Sequence, residues 1–470
     1  LKDFIESCRK FIELDSTPSN GTAEIAEYAA ELCREAGLFV DLQSEMLNGV
    51  QQTTVIARPS QQRPPQEFLL QTHLDTSDPG AYGLWTKTGA NPFNASIYSD
   101  PSLGSEILYG LGSADTKLDF LCKLQAIIEL QSQMQSQIQS QLRGNMNGSA
   151  WKLPPVLVGT FGEETGMNGA IKLIRKKLIS AKMALVGEPT NMALIGAGKG
   201  FAAVEIEVPF SVEEKELRAE HDVSDASTTQ SRMFVGKAAH SSAPQFGESA
   251  ILKMIDYLTK LPESLVMMEM EGGVNFNTVP SHAVLEIDMV ANVKETIGPK
   301  ITRMMKAIND VEKQFLNYPD PAFEPAIPTM NIGVVRTYED FVKFSGCCRL
   351  PPTVSNEVYE KWMELLKSAC ADVGGVFRIT EYKQPFRSDL ASPFVEVCQS
   401  ELAKLGLPSG CGAQSVANEA NVFSRFGIPC VVLGPGQGVG NSHAPNEHVR
   451  IEQLHQAVQF YRGVLERVSL

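Results

Sequence analysis

Two histidines and a group of acids stand at or just beyond the ends of short apolar runs in this chain, and their types suit metal-assisted chemistry. EFLLQTH (67–73) delivers His73 and, two residues on, Asp75; PPVLVGTF (154–161) leads to Glu163 and Glu164; KMALVGE (182–188) ends in Glu188; IPCVVLG (428–434) is followed nine residues later by His443. A further acid, Asp115, lies in the glycine-spaced GLGSADTK before a helix. Imidazoles together with carboxylates suit a pair of divalent ions such as Zn2+, with no thiolate needed. One carboxylate can bridge two ions about 3.5–4 Å apart. Adjacent Glu163 and Glu164 can point in different directions from a loop, so that one binds metal while the other works as a general base.

The elements that carry these residues read as α/β. The apolar runs are short enough for buried strands, and helical patterns separate them, which predicts a mostly parallel sheet. In open α/β sheets ligands bind beyond the carboxyl ends of the strands, so these residues converge on one sheet edge. Helices are expected over residues 4–12, 23–36, 119–142, 392–405 and 451–468. In the third, Ile127, Leu130, Met134, Ile138 and Leu142 form one stripe, which argues for a packed helix through the glutamine-rich QSQMQSQIQSQL, followed by a loop over 144–149. From about Gly196 the texture changes to alternating strands (AAVEIEVPF, SRMFVGKA, NTVPSHAVLEIDMV, DFVKFSGCCRL), helices (ESAILKMIDYLTKL, EVYEKWMELLKSACADVG) and an acidic stretch, 213–225, read as a solvated loop. The expected organisation is a catalytic domain over 1–195 and 383–470 with an inserted α+β domain over 196–382.

Composition narrows the function classes. The 470 residues carry 41 Lys+Arg against 55 Asp+Glu, a net charge of −14, which argues against a nucleic-acid or anionic-membrane surface. With 43% hydrophobic and 20% charged residues the chain has the makings of a full globular core. No apolar run approaches the roughly 20 residues of a membrane span. The nine cysteines are scattered, odd in number and without a CxxC pair, which fits a reducing cytoplasm. No basic-then-apolar leader is visible in the sequence, which begins at Leu1; a removed leader stays open.

Six motifs in order, LLQTHLDT, LYGLGSADTK, TFGEETGMNGA, LVGEPT, GKAAHSSAP and GPG…SHAPNEH, resemble the dinuclear-zinc family of acetylornithine deacetylase, succinyl-diaminopimelate desuccinylase, aminoacylase and glutamate carboxypeptidase. FGEETG and GEPT, whose Glu164 and Glu188 are 24 residues apart, Trp85 and the Pro92-Phe93 pair look most like the deacetylase branch. The resemblance implies that His73, Asp115 and Glu188 hold one ion and Asp115, Glu164 and His443 the other, with Asp115 bridging. The ions would be Zn2+, with Co2+ or Mn2+ as substitutes. Asp75 would orient His73 by accepting its second N–H, and Glu163 would move the proton of a metal-bridging water to the leaving nitrogen. His240 resembles the family's oxyanion histidine, and Asn277 and Arg349 its substrate-contacting asparagine and arginine. A cis peptide at Asp115–Thr116 is implied as well, and so is a lid-type inserted domain through which dimeric members associate as homodimers.

The chain departs from the family at several points. The usual GRGxxDxKG reads GLGSADTKL, with Leu111 for arginine and Leu118 for the last glycine. NTVP (277–280) runs into EIDMV without the usual arginine, and a stretch of about fifty residues precedes CCRLPP, which carries Arg349. GAQSVANEA (412–420) matches an acidic loop only loosely, with Glu419 as its acid. His221, His282, His448 and His455 read as non-functional, Cys347 and Cys348 as packing on opposite strand faces, and Met267, Met268 and Met270 as core filling. The expected activity is cytoplasmic, metal-dependent removal of an acyl group from an N-acyl amino acid. A dipeptidase or carboxypeptidase acting on short peptides is the enzymatic alternative. A non-hydrolytic scaffold would have lost the base or a ligand, and neither is lost.

Overall fold

The structure, a computed structural model, describes residues 1–101, 105–141, 151–224, 229–288 and 295–470, with side chains left out at 137–141 and 221–224. The chain forms two compact units: Leu1–Ala197 with Phe386–Ala413 and Asn418–Leu470, and Gly198–Pro385 with Gln414–Ala417.

The first unit is built on a nine-stranded mixed sheet. Its centre is parallel: Pro155–Thr160, Glu67–His73, Ala181–Val186 and Cys430–Val432 lie side by side. Antiparallel strands flank this centre, with Phe39–Leu47 and Val50–Arg58 on one side and Leu194–Gly198 on the other. All residues of Glu67–His73 and Pro155–Thr160 are buried, as expected for strands covered on both faces. The covering helices include Phe4–Glu13, Ala23–Glu35, Leu118–Gln141, Pro393–Lys404 and Ile451–Ser469. In the Leu118–Gln141 helix, Ile127 and Leu130 are buried and Met134 packs against the same core. Ile138 and Leu142 of the expected stripe, and the loop 144–149, lie outside the described side chains or residues.

The second unit is a seven-stranded sheet packed against helices. From edge to edge the strands are Gln230–Val235, His282–Asp288, Val266–Gly272, Thr329–Thr337, Phe341–Leu350, Gly200–Pro209 and Val376–Lys383. Cys348 points into the main apolar cluster of this unit, whereas Cys347 joins a small one with Phe201 and Ala203. Met267 and Met270 are buried core residues. The stretch before CCRLPP holds the helix Ile297–Phe315 and the strand Thr329–Thr337, neither foreseen from sequence. The acidic stretch read as a loop is instead the helix Val212–Ser224. The reason is tertiary: Glu214 is fully buried and accepts the N–H of Ile297 at 3.2 Å, capping the helix Ile297–Phe315, while Arg218 lies 3.8 Å over the Phe210 ring. Burial pushes the Glu214 carboxyl up to about 7.

Candidate metal centre

The parallel register brings the ends of the central strands level. His73 pairs with Thr160 and Gln71 with Val186, so His73, the Glu163–Glu164 turn and Glu188 emerge along one edge. Asp115 and His443 reach the same place from loops that leave the same end of the strand pair Ser105–Tyr109 and His448–Arg450. Two groups of potential ligands result, His73–Asp115–Glu188 and Asp115–Glu164–His443, each with its ligand atoms within 4.8 Å of one another. Asp115 belongs to both. Its Oδ1 lies 3.2 Å from His73 Nε2 and its Oδ2 lies 3.3 Å from His443 Nε2, while Glu164 Oε1 is 2.9 Å from the same His443 nitrogen. The Asp115–Thr116 peptide is cis.

The electrostatics of the group favour positive charge among its carboxylates. Burial, and then the charge of Glu188, push the Glu163 carboxyl well above its ordinary range; burial does the same to Glu188, with Asp115 adding to it. Burial would raise Asp115 as well, but hydrogen bonds from His443 and His73 hold it well below the usual range. Hydrogen bonds to Asp115 and Glu164 raise His443 to about 11. Glu188 Oε1 is buried with no hydrogen-bond partner among the described residues. Clustered acids that repel one another, with imidazoles facing a shared carboxylate, fit a pair of divalent cations.

Supporting residues hold these groups. His73 Nδ1 meets the main-chain carbonyl of Asp75 at 3.0 Å, whereas the nearer oxygen of the Asp75 carboxylate is 3.7 Å away. That carboxylate, raised to about 6 by burial, instead accepts the N–H groups of Glu163 at 3.2 Å and Glu164 at 3.1 Å. The carboxylate therefore holds the Glu163–Glu164 turn more closely than it holds the imidazole.

Beneath the His73 strand lies a polar set that sequence reasoning missed. Asp119 pairs with Lys123 at 2.6 Å and accepts from Thr72 Oγ1 at 2.8 Å and from the Tyr461 hydroxyl; Lys123 also donates to Gln71 O at 2.5 Å. All four side chains of Thr72, Asp119, Lys123 and Tyr461 are fully buried. Gly187 makes room for it, since a Cβ there would lie 2.0 Å from Asp119 Oδ2. The i,i+4 spacing of Asp119 and Lys123 on a buried helix was the available signal. Glu419, the acid of the loose motif, starts the helix Glu419–Arg425 and accepts from Thr160 Oγ1 at 2.8 Å and from Gln71.

The second unit gathers the remaining three sequence candidates. Arg349 Nη2 donates to Asn277 Oδ1 at 2.7 Å, and Asn277 Nδ2 lies 3.3 Å from His240 Nε2. The His240 ring stands between Asn277 and Ser242, whose hydroxyl is 2.7 Å from Nδ1. The Arg349 guanidinium also covers the Phe201 ring at 4.6 Å. Asn331, also missed, fixes this loop by donating to Phe276 O at 2.9 Å and Thr278 O at 3.0 Å, the carbonyls on either side of Asn277. The histidines read as non-functional sit elsewhere: His282 starts a strand, His448 packs on Tyr109 and His455 on Phe4. The His221 side chain lies outside those described.

Comparison with known proteins agrees in kind. The chain is 24% identical over 360 residues to an acetylornithine deacetylase from Myxococcus xanthus, covering 74% of this chain and 69% of the relative. Among solved structures it is similar to an aminoacylhistidine dipeptidase from Vibrio alginolyticus (TM-score 0.63, 16% identity, 99% and 96% of the two chains). It is also similar to an M20 family metallo-carboxypeptidase from Sulfolobus solfataricus (TM-score 0.61, 17% identity, 99% of each chain). These likenesses share the fold, a mixed α/β catalytic unit with a second α+β unit. With residues 69–467 matching the model of peptidase family M20/M25/M40, the chain belongs to that family and is a metal-dependent hydrolase.

Proposed function

We propose that this chain is a dinuclear-metal amidohydrolase that removes the acyl group of an N-acyl amino acid, most like an acetylornithine deacetylase. The observation that carries the reading is Asp115 turning one oxygen toward each of two histidines, with the half-buried Glu163 on the neighbouring turn. His73, Asp115 and Glu188 would hold one ion, and Asp115, Glu164 and His443 the other; zinc suits the donor set. Bound there, the ions would supply Lewis acidity toward the amide carbonyl and a nucleophilic water near neutral pH. Glu163 takes a proton from the attacking water at its carboxylate and delivers it to the leaving nitrogen. Its raised pKa, caused first by burial, makes it a stronger base than an exposed glutamate. Asp75 keeps that carboxylate in place through the amides of the turn. His240 donates to the oxygen that gains charge in the transition state, and Arg349 with Asn277 recognises the substrate's free carboxylate.

The nine cysteines are free and eight are buried, which supports a reducing cytoplasmic setting. No helix among the described residues is long and apolar enough to cross a membrane. The strand Gln230–Val235 is an outer strand of its sheet and exposes Met233 and Val235, which supports a homodimer through this unit. The deciding experiment measures bound metal and turnover on one sample, against a panel of N-acetyl amino acids and dipeptides. About two zinc ions per chain, loss of turnover with a chelator and recovery on adding zinc are expected. Full turnover in a demonstrably metal-free sample overturns the mechanism. Preference for dipeptides over every N-acetyl amino acid overturns the deacylase assignment.

A further inference from the structure

We propose that Glu447 is a positioning residue that locks the Asp115 loop to the His443 loop and so sets the spacing of ligands in the metal centre; the inference rests on the reading of that centre given above. The two loops have little regular structure of their own. One runs from Gly110 to Lys117 after the strand Ser105–Tyr109; the other carries His443 into the strand His448–Arg450. These strands pair antiparallel, His448 opposite Tyr109, so both loops depart from the same end of one short ladder. Beyond that end the main chain of Gly110 donates to Glu447 O at 2.9 Å, a backbone link between them.

From there the Glu447 side chain takes over. Its Oε1 accepts the N–H of Ala114 and the N–H of Asp115 itself, each at 2.9 Å. Glu447 is buried, with 1% of its surface exposed, so these bonds do not compete with bulk water. The amides it satisfies follow a tight turn at Gly112, which has a φ of +78° and where a Cβ would strike Lys117 Cε at 2.5 Å. One carboxylate four residues from His443 thus grips the backbone of Asp115, the residue whose two oxygens face both histidines. Without the grip, Asp115 and His443 are free to drift apart while the sheet behind them stays intact. Residues that orient ligands in this way typically change metal affinity by about 10–100-fold when removed.

The test titrates Zn2+ against a chromophoric chelator and records the visible spectrum of the Co2+-loaded protein, for wild type, Glu447→Ala, Glu447→Asp and Glu447→Gln. Circular dichroism of the metal-free samples checks folding. Zn2+ affinity about 10–100-fold weaker and an altered Co2+ spectrum are expected for Glu447→Ala and for Glu447→Asp, whose carboxylate falls one methylene short. Glu447→Gln keeps an oxygen acceptor at the same reach and should return both readouts close to wild type. If Glu447→Ala does not fold, the contrast between Asp and Gln decides. Wild-type affinity and spectrum in Glu447→Asp, or a Gln variant no better than Asp, overturns the proposal. Wild type that binds no Zn2+ defeats the metal reading itself, a failure visible before any variant is compared.

Discussion

The imidazole Nδ1 of His73 lies 3.0 Å from the main-chain carbonyl of Asp75, two residues further along the chain. A carbonyl holds the ring regardless of which side chain residue 75 carries. The Asp75 carboxylate is left to hold the amides of Glu163 and Glu164. Replacing it should therefore loosen the base more than the metal. Asp75→Ala is expected to keep about two ions per chain and to lose turnover by about 10-fold or more, as the turn carrying Glu163 shifts. Metal analysis beside steady-state kinetics checks this; loss of one ion with the His73 site emptied would return the carboxylate to the imidazole.

In the proposed mechanism Glu163 carries the proton. Glu163→Gln preserves shape and removes basicity, so metal content should stay at wild-type level while kcat falls by about 10²-fold or more. Unchanged kcat would move the base to another residue.

The pattern of apolar runs ending in acids and histidines was legible because buried parallel strands leave a plain mark, and the register then does the rest: His73, Glu163, Glu164 and Glu188 come together simply because their strands end level. Asp119, Lys123 and Tyr461 were not legible, since a buried ion pair on a helix looks like an ordinary surface pair until tertiary packing covers it. Glu447 was hidden by its neighbours His443 and His448, and its meaning lies in backbone amides more than 300 residues away. The Val212–Ser224 helix was misread for a similar reason. Its acidic composition suggested solvent, but Glu214 turns inward to cap a helix that the sequence had not revealed.

That buried cap has a pH signature. Burial raises the Glu214 carboxyl from 4.5 to about 7 in the folded chain. The folded state therefore holds a proton more tightly than the unfolded one. The resulting stabilisation is complete below about pH 4.5 and is lost as pH rises through about 7. Glu214→Gln, permanently neutral and still able to accept from Ile297 N–H, should escape that loss, which is on the order of 3 kcal/mol. Urea unfolding at intervals between pH 4 and pH 8 checks it: the wild-type curve should fall relative to the variant across this window, and parallel curves would refute the assignment.

His240 and the five proposed ligands belong to different units of the chain. His240→Ala should therefore leave metal content and Zn2+ affinity unchanged while kcat drops by about 10²–10³-fold, the scale of a lost donor to a developing oxyanion. A variant that lost metal instead would make the histidine a ligand.

Arg349 stands far from NTVP in the sequence, separated by a stretch that contains a helix and a strand. Folding nevertheless sets its guanidinium 2.7 Å from Asn277, the residue of NTVP that the family pattern singles out, and over the Phe201 ring. Two restraints leave the planar group with a fixed orientation, and a fixed guanidinium can take a carboxylate through parallel hydrogen bonds. A local cation is also what an anionic substrate end needs in a chain of net charge −14. Hydrolysis should accordingly require a free carboxylate beside the cleaved amide. Arg349→Ala should lower kcat/KM for such substrates by about ten- to a hundredfold, equivalent to about 1.5–3 kcal/mol for a lost charge-assisted contact. Arg349→Lys should recover only part of this, because an ammonium keeps the charge but not the fork. The measurement compares an N-acetyl amino acid with its carboxamide in wild type and both variants. If wild type treats acid and amide alike, carboxylate recognition is absent. If wild type prefers the acid and Arg349→Ala keeps the same preference, another cation holds the carboxylate, and the Arg349–Asn277 bond serves only to brace the loop.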